Sequence, residues 1–206
     1  MDTVIADGLK KNYNSFTALD GVSFSIKKGE VFGLLGPNGA GKTTTLRILS
    51  GLLKPTSGKA LIMGNDVVSR PIEVKSLIGV VPETSNLYPE LTCFENLLFA
   101  GRLYGMKSEK AKTKTDELIE SFRLKEKRDV LFAKLSSGMK RRLTMAASLI
   151  HDPPVLFLDE PTTGLDVMSA RALREIMHPA ASLSVLLLFT VVFLALSVKI
   201  MKGRMS

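Results

Sequence analysis

The sequence predicts an α/β fold built on a parallel sheet, and three observations carry that reading. Val31-Phe32-Gly33-Leu34-Leu35 is a short unbroken apolar run, the form a strand takes when a parallel sheet is covered on both faces. A glycine-rich turn, Gly36–Gly41, follows it, and Lys42–Leu53 then repeats apolar residues at helical spacing through Leu46, Leu49 and Leu53. Far downstream, Val155-Leu156-Phe157-Leu158 is a second buried-strand pattern that ends on two acids, Asp159 and Glu160.

The remaining elements fall between these. Val22-Ser23-Phe24-Ser25-Ile26 alternates apolar and polar residues, the mark of a half-buried strand, and Lys28-Gly29 then turns the chain, which predicts a hairpin. Ala60–Met63 and Leu77–Val81 read as further strands, Phe94–Tyr104 and Glu109–Phe122 as helices. There is no internal repeat and no low-complexity tract.

Composition bounds the function classes. A chain of 206 residues with 45% hydrophobic and 23% charged residues can bury a core, which excludes wholesale disorder. The formal net charge of +8 suits an anionic partner. Its cations crowd into Lys107–Arg128, but they alternate there with Glu109, Asp116, Glu117, Glu120 and Glu126. That is a solvated helical face, so no nucleic-acid partner is expected. A single cysteine, Cys93, excludes an internal disulfide and reads as a small buried hydrophobe. Met1-Asp2-Thr3-Val4 lacks the pattern of a signal peptide, which predicts a cytoplasmic front to the chain.

Gly36-Pro37-Asn38-Gly39-Ala40-Gly41-Lys42-Thr43 has a glycine, four free positions and Gly-Lys-Thr between strand and helix, the pattern of a P-loop. Successive backbone N–H groups must converge on a polyphosphate, and glycines permit positive φ and close approach where a Cβ would collide. The following helix adds the positive end of its dipole. Gly36–Thr44 is therefore the predicted ATP-binding segment, with Lys42 reaching the outer phosphates and Thr43 offering its hydroxyl to magnesium. Asp159 and Glu160 lie where parallel α/β sheets place ligand chemistry. Asp159 is the candidate to hold Mg2+ through water, and Glu160 the catalytic candidate to orient and polarise the attacking water.

Between these sites, Leu135-Ser136-Ser137-Gly138-Met139-Lys140-Arg141-Arg142-Leu143 resembles the signature motif of ATP-binding-cassette (ABC) ATPases. The usual form is Leu-Ser-Gly-Gly-Gln, so Ser137 replaces a glycine and Met139 a glutamine. Ser136 or Ser137 can also cap a helix running to about Ile150. The resemblance implies a P-loop NTPase fold with a small antiparallel β part and a helical subdomain over about 84–150. It implies a dimer, homo- or heteromeric, in which Ser136, Ser137, Gly138 and Met139 contact ATP held by the opposite subunit. Tyr13 then resembles the aromatic that stacks on adenine, and Gly164-Leu165-Asp166 the D-loop, with Asp166 bridging the subunits. Glu83 stands where the family usually has a glutamine that contacts magnesium. The partner implied is a transmembrane permease, the setting the cytoplasmic face of a membrane, and the closest-looking cassettes those of multidrug, lipid or antibiotic exporters.

The family's switch histidine is not found: His151 comes too early, and His178 falls too soon and adjoins Pro179. Ala180–Val198 carries no charged residue and is followed by Lys199, Lys202 and Arg204. At about 1.5 Å rise per residue it nearly spans a bilayer core of about 30 Å, so a transmembrane helix over 180–200 is predicted, resembling the end of a permease. Residues 1–177 would then be the cassette, truncated after the D-loop and joined to a tail, 178–206. The competing reading makes Val185–Thr190 the buried strand that precedes the histidine, with Val191 in its place. The functional expectation is an ATPase of an export system. Its alternatives are a nucleotide-binding remnant without hydrolysis and a soluble cassette of translation or DNA repair.

Overall fold

Asn14 and Ser15 turn the chain between two long strands, and the φ of 51° at Asn14 is one that asparagine tolerates better than most residues. In the computed structural model, which describes residues 2–159 and the backbone of 185–188, these strands are β1 (Asp2–Tyr13) and β2 (Phe16–Lys27). They pair antiparallel, with Tyr13 opposite Phe16. A predicted feature changes here. Lys28-Gly29 does turn the chain, with Gly29 at φ 81°, but into β3 (Glu30–Gly33) of a different sheet. No hairpin forms there. A turn signal reverses the chain direction; it does not choose the strand's hydrogen-bond partner.

The antiparallel sheet is completed by β4 (Ser57–Ile62), on the other side of β1, and β5 (Asn65–Asp66), giving the order β2-β1-β4-β5. The second sheet holds β3, β6 (Ile78–Val81), β7 (Val155–Leu158) and β8 (Val185–Leu188) in the order β3-β8-β7-β6. All of its pairings are parallel. Helices α1 (Lys42–Leu49), α2 (Pro71–Leu77), α3 (Cys93–Leu103), α4 (Ser108–Ser121) and α5 (Ser137–Ser148) complete the described chain.

β7 shows why its apolar run is unbroken. Val155 and Phe157 belong to a core shared with α1 and the antiparallel sheet, whereas Leu156 and Leu158 belong to a second core formed with α3, α4 and α5. All four are fully buried. Each fully buried aliphatic or aromatic side chain contributes roughly 1.5–3 kcal/mol. The strand thus joins the two cores.

The same logic corrects the predicted transmembrane helix. Val185–Leu188 is a strand, hydrogen-bonded to β3 on one edge and to β7 on the other, with Val185 opposite both Glu30 and Val155. A central parallel strand and a membrane span are both apolar without alternation, so composition alone does not separate them. Among the described residues no helix is long and apolar enough to cross a membrane. The predicted fusion of a truncated cassette to a permease end finds no support, and the rest of 178–206 lies outside the described residues.

α3 begins with a capping box: Glu95 N–H donates to the Thr92 hydroxyl at 3.1 Å, and Thr92 N–H to the Glu95 carboxylate at 2.8 Å. Cys93, the next residue, is fully buried, and burial above all, with the nearby Asp129 charge, pushes its thiol up to about 11. Asn96 pins the preceding loop. Its Oδ1 accepts from Tyr88 N–H at 2.8 Å, and its Nδ2 donates to the carbonyls of Tyr88, Leu91 and Thr92 at 3.0, 3.2 and 3.0 Å. Asn96→Ala strands these buried groups, and a loss of about 2–3 kcal/mol in denaturant unfolding is expected.

Candidate functional site

The loop between β3 and α1 owes its shape to two glycines. Gly39 has φ 85° and Gly41 φ 83°, the left-handed region that side chains resist. Gly41 is the N-cap of α1, and a Cβ there would lie 2.6 Å from the Ala18 carbonyl oxygen and run into the Leu19 side chain. The loop is held by Ala40 N–H donating to Pro37 O at 3.2 Å. Lys42 Nζ donates to the carbonyls of Gly36 and Pro37 at 2.8 and 2.9 Å, so its charge folds back over the loop.

A cavity of about 440 Å³ opens at this loop. It is lined by Asn38, Gly39, Gly41, Lys42, Thr43 and Thr44, by Tyr13, Phe16 and Ala18 from the β1–β2 hairpin, and by Glu83. Tyr13, the loop and Glu83, distant in sequence, are thus brought together at one cavity. Tyr13 is half exposed, with Lys11 Nζ 5.1 Å from its ring centroid. Phe16 was missed by the sequence reading. It is 61% exposed and directly opposite Tyr13 across the hairpin. Two aromatics flanking an Asn-Ser turn were the available signal.

The loop fits a polyphosphate: glycine backbone at positive φ, a helix N-terminus, one lysine and two hydroxyls face one cavity. Magnesium fits the same place as an ion carried by the phosphates, with Thr43 and Glu83 on the cavity wall. Asp159 follows β7 and its N–H donates to Val81 O at 3.0 Å, which sets it beside the end of β6 and the Pro82-Glu83 step. Glu160 and Asp166 lie outside the described residues.

Ser136, not Ser137, caps α5, its hydroxyl accepting from Met139 N–H at 3.4 Å. Ser136→Ala should cost about 1 kcal/mol in thermal or denaturant unfolding. None of Ser136–Met139 lines the cavity at the 36–44 loop. Ser137 instead lines a separate cavity of about 400 Å³ with Thr84, Ser85, Lys140, Arg141 and Thr144, and Glu83 is shared by both cavities. Arg141, also missed from sequence, is only 7% exposed, and its Nη1 donates to the carbonyls of Pro82 and Glu83. Burial holds its guanidinium below the ordinary value, opposed by the charges of Asp159 and Glu83. Thr144, one turn later, donates to Ser85 Oγ at 2.7 Å.

The sequence profile of the family described as ABC transporter matches residues 19–163. The chain belongs to the ABC transporter family. The match spans the 36–44 loop, the Ser136–Met139 turn and Asp159-Glu160, that is, the ATP-binding domain of the family. Among curated relatives, the Nod factor export ATP-binding protein I of Paraburkholderia xenovorans (strain LB400) is 47% identical over 169 residues, 82% of this chain and 56% of that protein. The protein of the same name from Bradyrhizobium diazoefficiens (strain JCM 10833 / BCRC 13528 / IAM 13628 / NBRC 14792 / USDA 110) is 47% identical over 159 residues, 77% and 52% of the two chains. The chain therefore spans about half the length of the curated relatives it matches. A solved ATP-binding subunit of an ABC transporter superposes with a TM-score of 0.82 at 32% identity, over 92% of this chain and 80% of that one. Clostridium perfringens cbiO1, part of the ABC transporter complex cbiONQ, gives 0.78 at 26% identity, over 92% and 78%.

Proposed function

We propose that the chain binds Mg-ATP on the Gly36–Thr44 loop and hydrolyses it to drive export through a permease partner at the cytoplasmic face of a membrane. The observation that carries this reading is the single cavity uniting Tyr13, the loop with Lys42 and Thr43, and Glu83. Tyr13 offers an aromatic face to adenine, with Phe16 beside it, while loop amides and Lys42 hold the phosphates. Magnesium, when bound, neutralises phosphate charge, and Thr43, Glu83 and Asp159 are the residues that would hold it or its waters. Glu160 orients a water and takes its proton. Export rather than import is inferred from relatives named for Nod factor export.

The separation of Ser136–Met139 from the loop cavity supports a dimer in which each copy's turn, with Asp166, faces the nucleotide of the other, identical or not. The helices α3–α5, within about 84–150, would meet the permease. A second reading, nucleotide binding without turnover, is favoured by one observation: the residues after β8, Phe189-Thr190-Val191-Val192, include no histidine. Steady-state hydrolysis of Mg-ATP by the purified chain decides between them. Turnover that Glu160→Gln abolishes supports the enzyme; binding without turnover supports the second reading.

A further inference from the structure

His151 is not on the wall of the cavity at the 36–44 loop, yet β6 and α3 meet at it. It follows α5, and its Nε2 lies 3.0 Å from the carbonyl oxygen of Ile78, the first residue of β6. Its ring stacks on that of Tyr104, the C-cap of α3, with centroids 3.6 Å apart and planes within 8° of parallel. The backbones approach closely on both sides of it. A Cβ at Gly79 would run into the Ser148 carbonyl, and one at Gly101 would lie 3.3 Å from Ile150 Cγ1. The segment after α5 thus joins the last turn of α3 to β6, the outer strand of the parallel sheet.

A carbonyl only accepts, so Nε2 carries the hydrogen and Nδ1 is bare in the neutral ring. Nδ1 is buried and has no hydrogen-bond partner among the described residues. A bare ring nitrogen fits there, whereas a proton would add a buried donor with no acceptor, and a charge with it. The groups around the ring are few. Asp152 is on its own segment and pairs with Lys114 of α4 at 2.5 Å, and Glu117 of α4 meets the same lysine at 3.8 Å. α3 presents the Tyr104 phenol, pushed up by burial, and β6 the Ile78 carbonyl, while Lys75 of α2 shares a groove with Tyr104. Burial, opposed by the Ile78 hydrogen bond and the Asp152 charge, holds the imidazole below its ordinary value.

We propose that the Tyr104–His151 stack is a proton-released latch, in which the neutral imidazole holds the last turn of α3 to the start of β6 and a proton on Nδ1 frees it. Leu103, Tyr104 and Gly105 line a groove of about 760 Å³ together with Leu52 and Ile72, both largely exposed. Release therefore changes the width of that groove. Nothing in the latch depends on bound nucleotide. A histidine held below its ordinary value stabilises the fold above about pH 6.5, and the contribution is lost as pH falls through that value toward the folded one.

The test uses the full 206-residue chain carrying His178→Gln, which leaves His151 as its one histidine. Imidazole nitrogen NMR near neutral pH should show the hydrogen on Nε2, and the titration midpoint should lie below that of the same chain unfolded in urea. A midpoint at or above the unfolded one overturns the proposal. Hydrogen exchange then reads the latch itself. Protection of the Tyr104, Gly105 and Met106 amides, which bond back to Ala100, Arg102 and Gly101, should fall about tenfold from about pH 7.5 to about pH 5.5, measured against the amides of β1. In His151→Gln, which keeps a donor toward Ile78 but does not titrate, it should not fall. The Tm lost over the same pH step should be greater by roughly 3 °C in the parent than in His151→Gln. Protonation of His151 with α3 protection unchanged, or equal pH dependence in both chains, overturns the latch. Should His151→Gln not fold, Tyr104→Leu removes the stack and leaves the imidazole: its α3 amides should exchange fast at both pH values, and protection that still falls as in the parent overturns the proposal.

Discussion

Lys42→Ala will lower the affinity of the chain for Mg-ATP by on the order of 100-fold while leaving its thermal unfolding nearly unchanged. The two effects separate because of where Lys42 spends its hydrogen bonds. Among the described residues its ammonium donates to the Gly36 and Pro37 carbonyls alone, at the cavity wall, where water can replace it. Losing such bonds costs the fold about 1 kcal/mol or less. The phosphates of ATP, by contrast, lose a cation held against them by a helix N-terminus and glycine amides, with no other lysine or arginine on the described cavity wall. Lys42→Arg should not restore binding, since the planar fork does not fit a space shaped for a compact ammonium. Titration with a fluorescent ATP analogue, run beside melting curves, reads both quantities. Unchanged affinity in Lys42→Ala would remove the 36–44 loop from nucleotide binding.

The second large effect is kinetic. Glu160→Gln should lower ATP turnover by about 10³ while leaving Kd for Mg-ATP within about twofold. The substitution keeps the shape and removes the charge that takes the proton of the attacking water. Affinity is untouched because the phosphates are held by the loop, and Asp159, the neighbouring acid, stays in place at the end of β7. Single-turnover measurement with radiolabelled ATP distinguishes this from slow product release. Equal inertness of the native chain and Glu160→Gln, both still binding ATP, would establish the reading without turnover.

Much of this was legible because the signals are local. Val155–Leu158 reads as a buried strand and is one, to the residue. The helices at Cys93–Leu103 and Ser108–Ser121 differ from the sequence reading by about one residue at their ends, because the Thr92–Glu95 box and the spacing of apolar residues are written in a single turn of chain. The short helix Pro71–Leu77 and the first strand, Asp2–Tyr13, were not anticipated. The former is too short for periodicity to accumulate. The latter is bent by register shifts that break its alternation.

The sequence by itself therefore determined the elements whose signal lies within one segment: the glycine-rich loop at 36–44 with its glycines at positive φ, the strand that leads into Asp159, the capped helix behind Ser136, and the family they compose. Only the tertiary structure decided which segments meet. It made Val185–Leu188 a strand between β3 and β7 instead of part of a helix, because an apolar run without alternation fits a central parallel strand and a helix equally well. It sent the chain after Lys28-Gly29 into a second sheet, since a strand's partner is chosen by hydrogen bonds formed far away in sequence. It brought Phe16 to the loop through a cross-strand pairing, and it buried Arg141 against the Pro82 and Glu83 carbonyls. Neighbourhood across sequence distance is a property of the packed chain, and no local run of residues encodes it.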